Sequence, residues 1–245
     1  MIDIEKKELR EINVWKNCDK NNPMRELDIL IDKFSTAKHF IRKINKYRDI
    51  FESSASILEI GGGTAWASCI VKKLLPKKTV ISSDLSKYAI EYHKEWERIL
   101  NVSLDNTLTC KSYEIYLEDN SIDLIFAFQA AHHFVCHKKT LNEIYRVLKP
   151  GGICLYLNEP SCRQFIYKQA LYRVNKKRPG LDIEDILIYK NIIKLAKDAG
   201  FDVNIKFDNS YINREFLEQN YYFLLSKFPF LNHILPSAVD YIFKK

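Results

Sequence analysis

The residues best suited to chemistry begin at Glu59. The stretch LEIGGGTAWAS, residues 58 to 68, runs from an apolar strand into glycines and then into a helix. Three of the chain's seven glycines are Gly61, Gly62 and Gly63. Glycines there let the backbone turn tightly and let a ligand reach the main chain. The unpaired amides of the following helix face the same place. Asp84 ends the next strand, and a carboxylate there can accept hydrogen bonds from both ribose hydroxyls of an adenosine. Together these residues predict a nucleoside-containing cofactor at the carboxyl edge of a parallel sheet, against the alternative of a tight strand–helix turn with no ligand. A dinucleotide fingerprint would need glycine at position 66, where Trp66 stands, and no G-K-S/T follows for a phosphate loop. Glu59 repels a pyrophosphate and suits a cationic amino-acid end.

Three further places carry chemistry. His132, His133, Cys136 and His137 have spacing that admits zinc. Histidine titrates near neutral pH, so His133 is a candidate general base, against a packing role for both adjacent histidines. Glu159 follows a strand and is a second candidate base or acceptor contact. Between Ser161 and Gly180 there are six basic residues and no acid, which accounts for most of the net charge of +7. In that segment Arg163, Lys168 and Arg173 are candidate contacts to an anionic acceptor or an acidic membrane surface, set against a solvated basic face. Six aromatics, Phe216, Tyr221, Tyr222, Phe223, Phe228 and Phe230, read as core or acceptor-pocket wall.

These groups need a scaffold. Residues 1 to about 50 read as helices, the second starting near Pro23, with Leu27, Leu30, Ile31, Phe34, Ala37, Lys38 and Ile41 as its buried stripe. Strands and helices then alternate. Strands are expected at Ser56–Ile60, Thr79–Ser82, Thr107–Cys110, Ile122–Phe128 and Ile153–Leu157. Helices are expected at Thr64–Leu75, from an N-cap at Ser86 to about Leu100, and at Lys139–Leu148. Asp182–Ala199 reads as one long helix closed at Gly200, Phe201–Phe207 as a strand, 213–235 as helix, and Ala238–Phe243 as the last strand. This is a parallel α/β alternation in one domain: a helical cap (1–50), a cofactor-binding core (51–160), and acceptor-side helices with the last two strands (161–245).

Composition narrows the class. Hydrophobic residues are 47% and charged residues 28%, which suits a soluble globular core and excludes disorder. No apolar run approaches the ~20 residues of a membrane span, and the first ten residues hold no apolar signal core. The six scattered cysteines read as reduced thiols of a cytoplasmic protein.

In order and spacing, residues 55 to 160 resemble the class I S-adenosylmethionine-dependent methyltransferases, specifically the group with a type 11 methyltransferase domain. Glu59, Gly61 and Gly63 match the family's first motif, with Ala65 in place of its third glycine. Asp84 matches its ribose-binding acid. DNSIDLIFAFQAAHHF (119–134) looks like its fourth motif, and EIYRVLKPGG (143–152) is its most recognisable string. The resemblance implies a Rossmann-like, doubly wound seven-stranded sheet with an antiparallel last strand, and S-adenosylmethionine as cofactor. It implies that Glu59 faces the methionine amino group and that Gly61, Gly62 and Gly63 pass under methionine and ribose. It implies that Asp84 holds the ribose, Leu85 packs on adenine and Gln129 lies by the sulfonium. Ser112 or Tyr113 stands where the family has an adenine-binding aspartate. The fourth motif accounts for the double histidine without a metal. The N-terminal helices would lid the cofactor, with Trp15 as a wall residue. The acceptor is expected to be a small molecule, with a sugar or another anionic metabolite preferred. The fourth strand lacks N/D-P-P-Y/F, which counts against nucleic acid. A cofactor-binding module without turnover and a nucleotide-dependent oxidoreductase are the alternatives.

Overall fold

The computed structural model describes residues 4–16, 23–176, 185–210 and 216–245. Helices α1 (Ile4–Lys16), α2 (Pro23–Lys46) and α3 (Arg48–Ser53) precede the first strand. The core then alternates β1 (Ser56–Ile60), α4 (Trp66–Leu74), β2 (Thr79–Asp84), α5 (Lys87–Ile90), α6 (His93–Leu100), β3 (Asn106–Thr109), β4 (Ile122–Phe128), α7 (His137–Val147) and β5 (Leu148–Cys162). The remainder is α8 (Tyr167–Asn175), the two-residue β6 (Leu187–Ile188), α9 (Tyr189–Asp198), β7 (Asp202–Asp208), α10 (Phe216–Lys227) and β8 (Ser237–Lys244).

The main sheet has the order β3-β2-β1-β4-β5-β8-β7, and β6 pairs with the end of β5. β1 to β5 run parallel, and β8 is antiparallel to both β5 and β7. This is the Rossmann-like architecture expected. Strand order reverses between β1 and β4. In open α/β sheets that reversal leaves a crevice at the carboxyl ends of the strands.

Both faces of the central strands are covered. In β1, Ile57 packs with Phe40, Phe51 and Trp66 on one face, while its neighbour Leu58 packs on the other with Leu141, Ile144 and Ile192. Leu124 and Ile125 of β4 divide in the same way. Side chains alternate along a strand, so double-sided burial demands the near-continuous apolar runs that the sequence has.

Three expectations change. The inward face of α2 is Phe40, Lys43 and Ile44, continued by Tyr47, whereas Ile31, Phe34 and Ile41 are exposed. Side chains at Leu27 and Leu30 lie outside the described residues. The helix is rotated from the simplest apolar stripe because its inner face carries a charge, described below. The expected helix from Ser86 is broken after Ile90, although Ser86 does cap it, its Oγ accepting from the Ala89 amide at 3.4 Å. Of the expected helix over Asp182–Ala199, residues 182–184 lie outside the described residues, and the described part is helical from Tyr189, because Leu187 and Ile188 pair with Ser161 and Cys162. Gly200 closes it in the left-handed region, φ +103. The five described cysteines are free, and all but Cys136 are buried; Cys18 lies outside the described residues. Among the described residues no helix is long and apolar enough to cross a membrane.

A buried ionic cluster fixes α2 to the antiparallel edge of the sheet. Asp240 of β8, fully buried, accepts from Lys43 Nζ (2.5 Å), Lys46 Nζ (2.7 Å), Tyr47 Oη (2.8 Å) and the Asn158 amide (3.0 Å). Lys43 also pairs with Asp208, which stands 3.3 Å from His39 Nε2. Burial by itself would raise both carboxyls. Lys43, with Lys46 beside Asp240 and His39 beside Asp208, instead holds them below the ordinary carboxylate value. A depressed folded-state pKa contributes stability that is present above about pH 4 and is lost as pH falls further. Asp240→Ala leaves Lys43 charged and buried. It should cost about 3–5 kcal/mol of unfolding free energy in urea denaturation, and the variant's stability should fall less steeply with acid than the wild type's.

Candidate active site

The carboxyl ends of β1, β2 and β4 open into one pocket of about 430 Å³. That volume lies within the range of roughly 300–1,000 Å³ usual for small-molecule sites. Its floor is the glycine turn after β1. Gly61 takes φ +67, a left-handed conformation that glycine adopts at no steric cost. Gly62 is required for a different reason. A Cβ on it would lie 2.4 Å from Ser82 Oγ and 3.0 Å from the Glu59 carboxylate. The Gly62 amide donates to the Ser83 carbonyl at 2.9 Å, so the turn lies directly against the end of β2.

Two carboxylates flank that turn. Glu59 is buried under it and accepts from the Ser68 amide (3.0 Å), Ser68 Oγ (2.5 Å) and Ser82 Oγ (3.2 Å). Burial outweighs these donors and pushes its pKa up to about 7. Asp84 accepts from the Gly63 amide and the Ser86 amide, each at 2.8 Å. Loss of water raises its carboxyl too, against the pull of these two amides. Leu85, Ser112, Tyr113 and Gln129 also line the pocket. Ser112 Oγ lies 2.9 Å from Thr140 Oγ1, and Tyr113 Oη donates to Glu8.

The segment after β4 forms the opposite wall. Gln129 turns at φ +51, and its amide donates to the Leu157 carbonyl at 3.0 Å. Ala65 at φ +61 and Asn158 at φ +58 share this unusual conformation at the same edge of the sheet. Such strain in non-glycine residues collects at functional sites. No motif in the sequence marks Gln129 or Asn158 for it.

The two adjacent histidines separate. His133 lines the pocket, and its Nδ1 lies 3.3 Å from Glu11 Oε1. His132 is buried, and its Nδ1 lies 2.8 Å from Glu159 Oε2. Glu159 also accepts from the amides of Ala130 (2.9 Å), Ala131 (3.0 Å) and His132 (3.1 Å). It is fully buried, pairs within β5 opposite Val239, and does not line the pocket. The expectation that Glu159 is a base or an acceptor contact is therefore corrected: both its oxygens hold the turn that presents His133. His137 is a separate matter, since burial drops it to about 4. No three His, Cys, Asp or Glu side chains among the described residues form a metal-holding group.

Helix α1 roofs the pocket. Glu8, Glu11, Val14 and Trp15, three or four residues apart, line it from above, and α2 adds Lys33 and Thr36. Glu8 holds α1 down through Tyr113 and through Lys111 Nζ at 3.0 Å. Of these roof residues only Trp15 is singled out by the sequence. Glu8 and Glu11 sit among many charges on a polar helix, and no local signal separates them from a solvated face.

Residues 58–156 match the protein family described as "Methyltransferase domain". Over these residues the chain is similar to the class I, S-adenosylmethionine-dependent methyltransferases. Among curated proteins, the chain is 29% identical over 138 residues to a malonyl-[acyl-carrier protein] O-methyltransferase of Priestia megaterium, covering 56% of this chain and 48% of that one. It is 27% identical over 157 residues to a demethylmenaquinone methyltransferase of Staphylococcus aureus, covering 62% and 64%. The chain thus spans between about half and two thirds of these relatives' lengths. Among solved structures, a geranyl diphosphate C-methyltransferase of Streptomyces coelicolor A3(2) superposes with a TM-score of 0.67 at 10% identity, covering 93% and 86%. A putative sarcosine dimethylglycine methyltransferase of Galdieria sulphuraria superposes with a TM-score of 0.61 at 15% identity, covering 98% of both chains. At these identities the two structures attest the fold.

The pocket does not recruit the basic segment. Arg163 Nε donates to Tyr189 Oη at 2.7 Å, Lys168 is exposed, and Arg173 lies 5.8 Å from the Tyr221 ring. None of the three lines the pocket, which corrects their expected role as acceptor contacts there. Arg163 follows the end of β5, and Lys168 and Arg173 stand on α8, a placement that charge counting along the chain does not reveal. Lys177 and Arg178 lie outside the described residues.

The Glu159 arrangement is testable. Glu159→Ala leaves three amides and His132 without their acceptor. It should lower stability by about 3 kcal/mol or more and weaken binding of S-adenosylhomocysteine, measured by denaturation and calorimetry. Unchanged stability would show that the turn is held by something else.

Proposed function

We propose that this chain transfers a methyl group from S-adenosylmethionine to a small-molecule acceptor. One observation carries the reading: two carboxylates, a glycine turn and a histidine–carboxylate pair converge on a single roofed pocket at the strand-order reversal. The residues fit the cofactor. A Cβ added at Gly63 would meet only the Trp15 ring, at 3.9 Å, so the turn leaves open main chain beneath a ligand.

The bound cofactor supplies a methyl group already activated on a sulfonium. The protein's task is then placement, exclusion of water and disposal of the acceptor's proton. In this reading Asp84 takes the ribose hydroxyls, its other lone pairs held by the Gly63 and Ser86 amides. Leu85, Ser112 and Tyr113 border the base, Glu59 faces the amino group, and Gln129 lies by the sulfonium. His133 takes the proton that the acceptor loses, with Glu11 orienting its ring. His132 has no such role, because Glu159 holds it in the turn.

The charges of the roof bear on the acceptor's class. Glu8 and Glu11 are carboxylates; of the two lining lysines, Lys111 pairs with Glu8 and Lys33 with Asp32 at 2.6 Å. That lining favours an acceptor neutral or cationic at its reacting end over the anionic metabolite preferred from the sequence.

Three outcomes test this. Calorimetry should show S-adenosylmethionine and S-adenosylhomocysteine binding, NAD failing to bind, and Asp84→Ala losing at least about tenfold in affinity. A nicotinamide-binding chain would give the reverse. Second, Glu59 must be ionised to meet an ammonium. Its pKa stands at about 7 against an ordinary 4.5, so cofactor affinity should fall as pH drops below 7, with proton release on binding. A raised acid pKa has the opposite sign for the unliganded fold, whose stability from this group is lost as pH rises from 4.5 through 7. Third, His133→Ala should lower turnover by roughly 10²–10⁴ and leave S-adenosylhomocysteine affinity unchanged. Turnover equal to wild type would remove His133 from the chemistry, and no turnover by the wild type on amines, phenols or alcohols would favour a binding module.

A further inference from the structure

Helices α8 and α10 meet where the Arg173 guanidinium lies over the Tyr221 ring. Their outer surface is unusual for a water-facing one. Phe165, just before α8, is 63% exposed, Tyr172 on α8 is 68% exposed, and Leu217 on α10 is 73% exposed. Phe223 and Leu224 continue the exposed side of α10, and Phe228 and Phe230 extend it into the turn that follows. Among the described side chains of α10 only Leu225 is buried. Tyr221 and Tyr222 instead anchor the helix through their hydroxyls, to the Pro236 carbonyl (2.6 Å) and from the Ala238 amide (3.1 Å). The helix is therefore held to the body by one edge and shows its apolar residues outward.

Cations are interleaved with these rings. Lys168, Arg173 and Lys176 are exposed on or beside α8, and no acidic residue stands between Ser161 and Lys176. The Lys227 ammonium lies 5.5 Å from the Phe223 ring on α10. Exposed apolar patches mark binding surfaces, and the composition selects the partner. Protein interfaces are depleted in lysine at their centres, whereas lysines are spread through this face. Stacking on single-stranded bases uses rings and gives no role to Leu217, Leu224 or Val174. Exposed aromatic and aliphatic side chains interleaved with cations fit the headgroup layer of an anionic bilayer.

We propose that the α8–α10 face is a peripheral docking surface for an anionic lipid bilayer, on which the protein lies without spanning it. The acidic surface supplies the charge complement, and the exposed rings and leucines enter the acyl boundary. The inference is independent of the methyl-transfer reading, and its test reads partition rather than turnover.

The test is co-sedimentation of the intact chain with extruded vesicles, one set of phosphatidylcholine alone and one with about a third phosphatidylglycerol. The expected result is binding to the anionic set, little to the neutral set, and release as salt rises from about 0.1 M to about 1 M, where screening shortens from ~10 to ~3 Å. Lys168→Gln/Lys176→Gln/Lys227→Gln should reduce partition by roughly 100-fold, at about fivefold per cation. Phe228→Ser/Phe230→Ser should reduce it by roughly tenfold or more. Both variants should keep the wild-type circular dichroism spectrum and S-adenosylhomocysteine affinity. No binding to anionic vesicles overturns the proposal, as does binding that neither variant weakens. A dimer in light scattering that the phenylalanine variant dissociates, without vesicle binding, assigns the face to a second copy instead. Displacement from vesicles by polyuridylate at equal affinity assigns it to nucleic acid.

Discussion

The pocket depends on how closely the turn after β1 lies against the end of β2. At Gly62 the main chain approaches Ser82 Oγ and the Glu59 carboxylate so nearly that no side chain fits between them. That approach puts the Gly63 amide on Asp84 and leaves Glu59 below the turn. The two carboxylates that border the pocket are thus set by one steric constraint. A methyl group at Gly62 would have to push the turn off β2 and would disturb both together.

Carboxylates serve this protein in two ways. Glu159 and Asp240 are wholly enclosed and spend their oxygens on amides and cations of the scaffold. Asp240 ties α2 to the antiparallel strand, and Glu159 ties the turn after β4 to β5. Asp84, Glu8 and Glu11 instead line the pocket. The roof is held by polar pairs and a ring contact: Glu8 and Glu11 of α1 meet Lys111, Tyr113 and His133, and the Trp15 ring lies against Tyr92.

The aromatic-rich tail shows how similar residues come to opposite uses. Tyr241 and Phe243 of β8 are fully buried in the core. Phe223, Phe228 and Phe230, a few residues earlier, are turned outward among lysines. Sequence alone assigns Phe223, Phe228 and Phe230 to core or pocket wall, and Tyr241 and Phe243 to the last strand. Only the docking of α10 by its two tyrosine hydroxyls separates them.

The local order of the fold was legible in the sequence because its signals are local. Apolar runs at Ser56–Ile60 and Ile122–Phe128 become strands of those bounds, since strands buried on both faces are near-continuously apolar. Gly61 to Gly63 and Asp84 declared themselves by type and spacing. What the sequence could not settle was direction and pairing. Whether His132 or His133 meets the pocket turns on a glutamate 27 residues from His132. Whether Arg163 and Lys168 meet it turns on the course of the chain beyond β5. Where α9 begins turns on a two-residue strand that exists only by pairing with β5. Spacing along a chain fixes which residues share a helix face or a strand end. Contacts between distant segments depend on how whole elements pack, and that is decided only when the sheet closes around them.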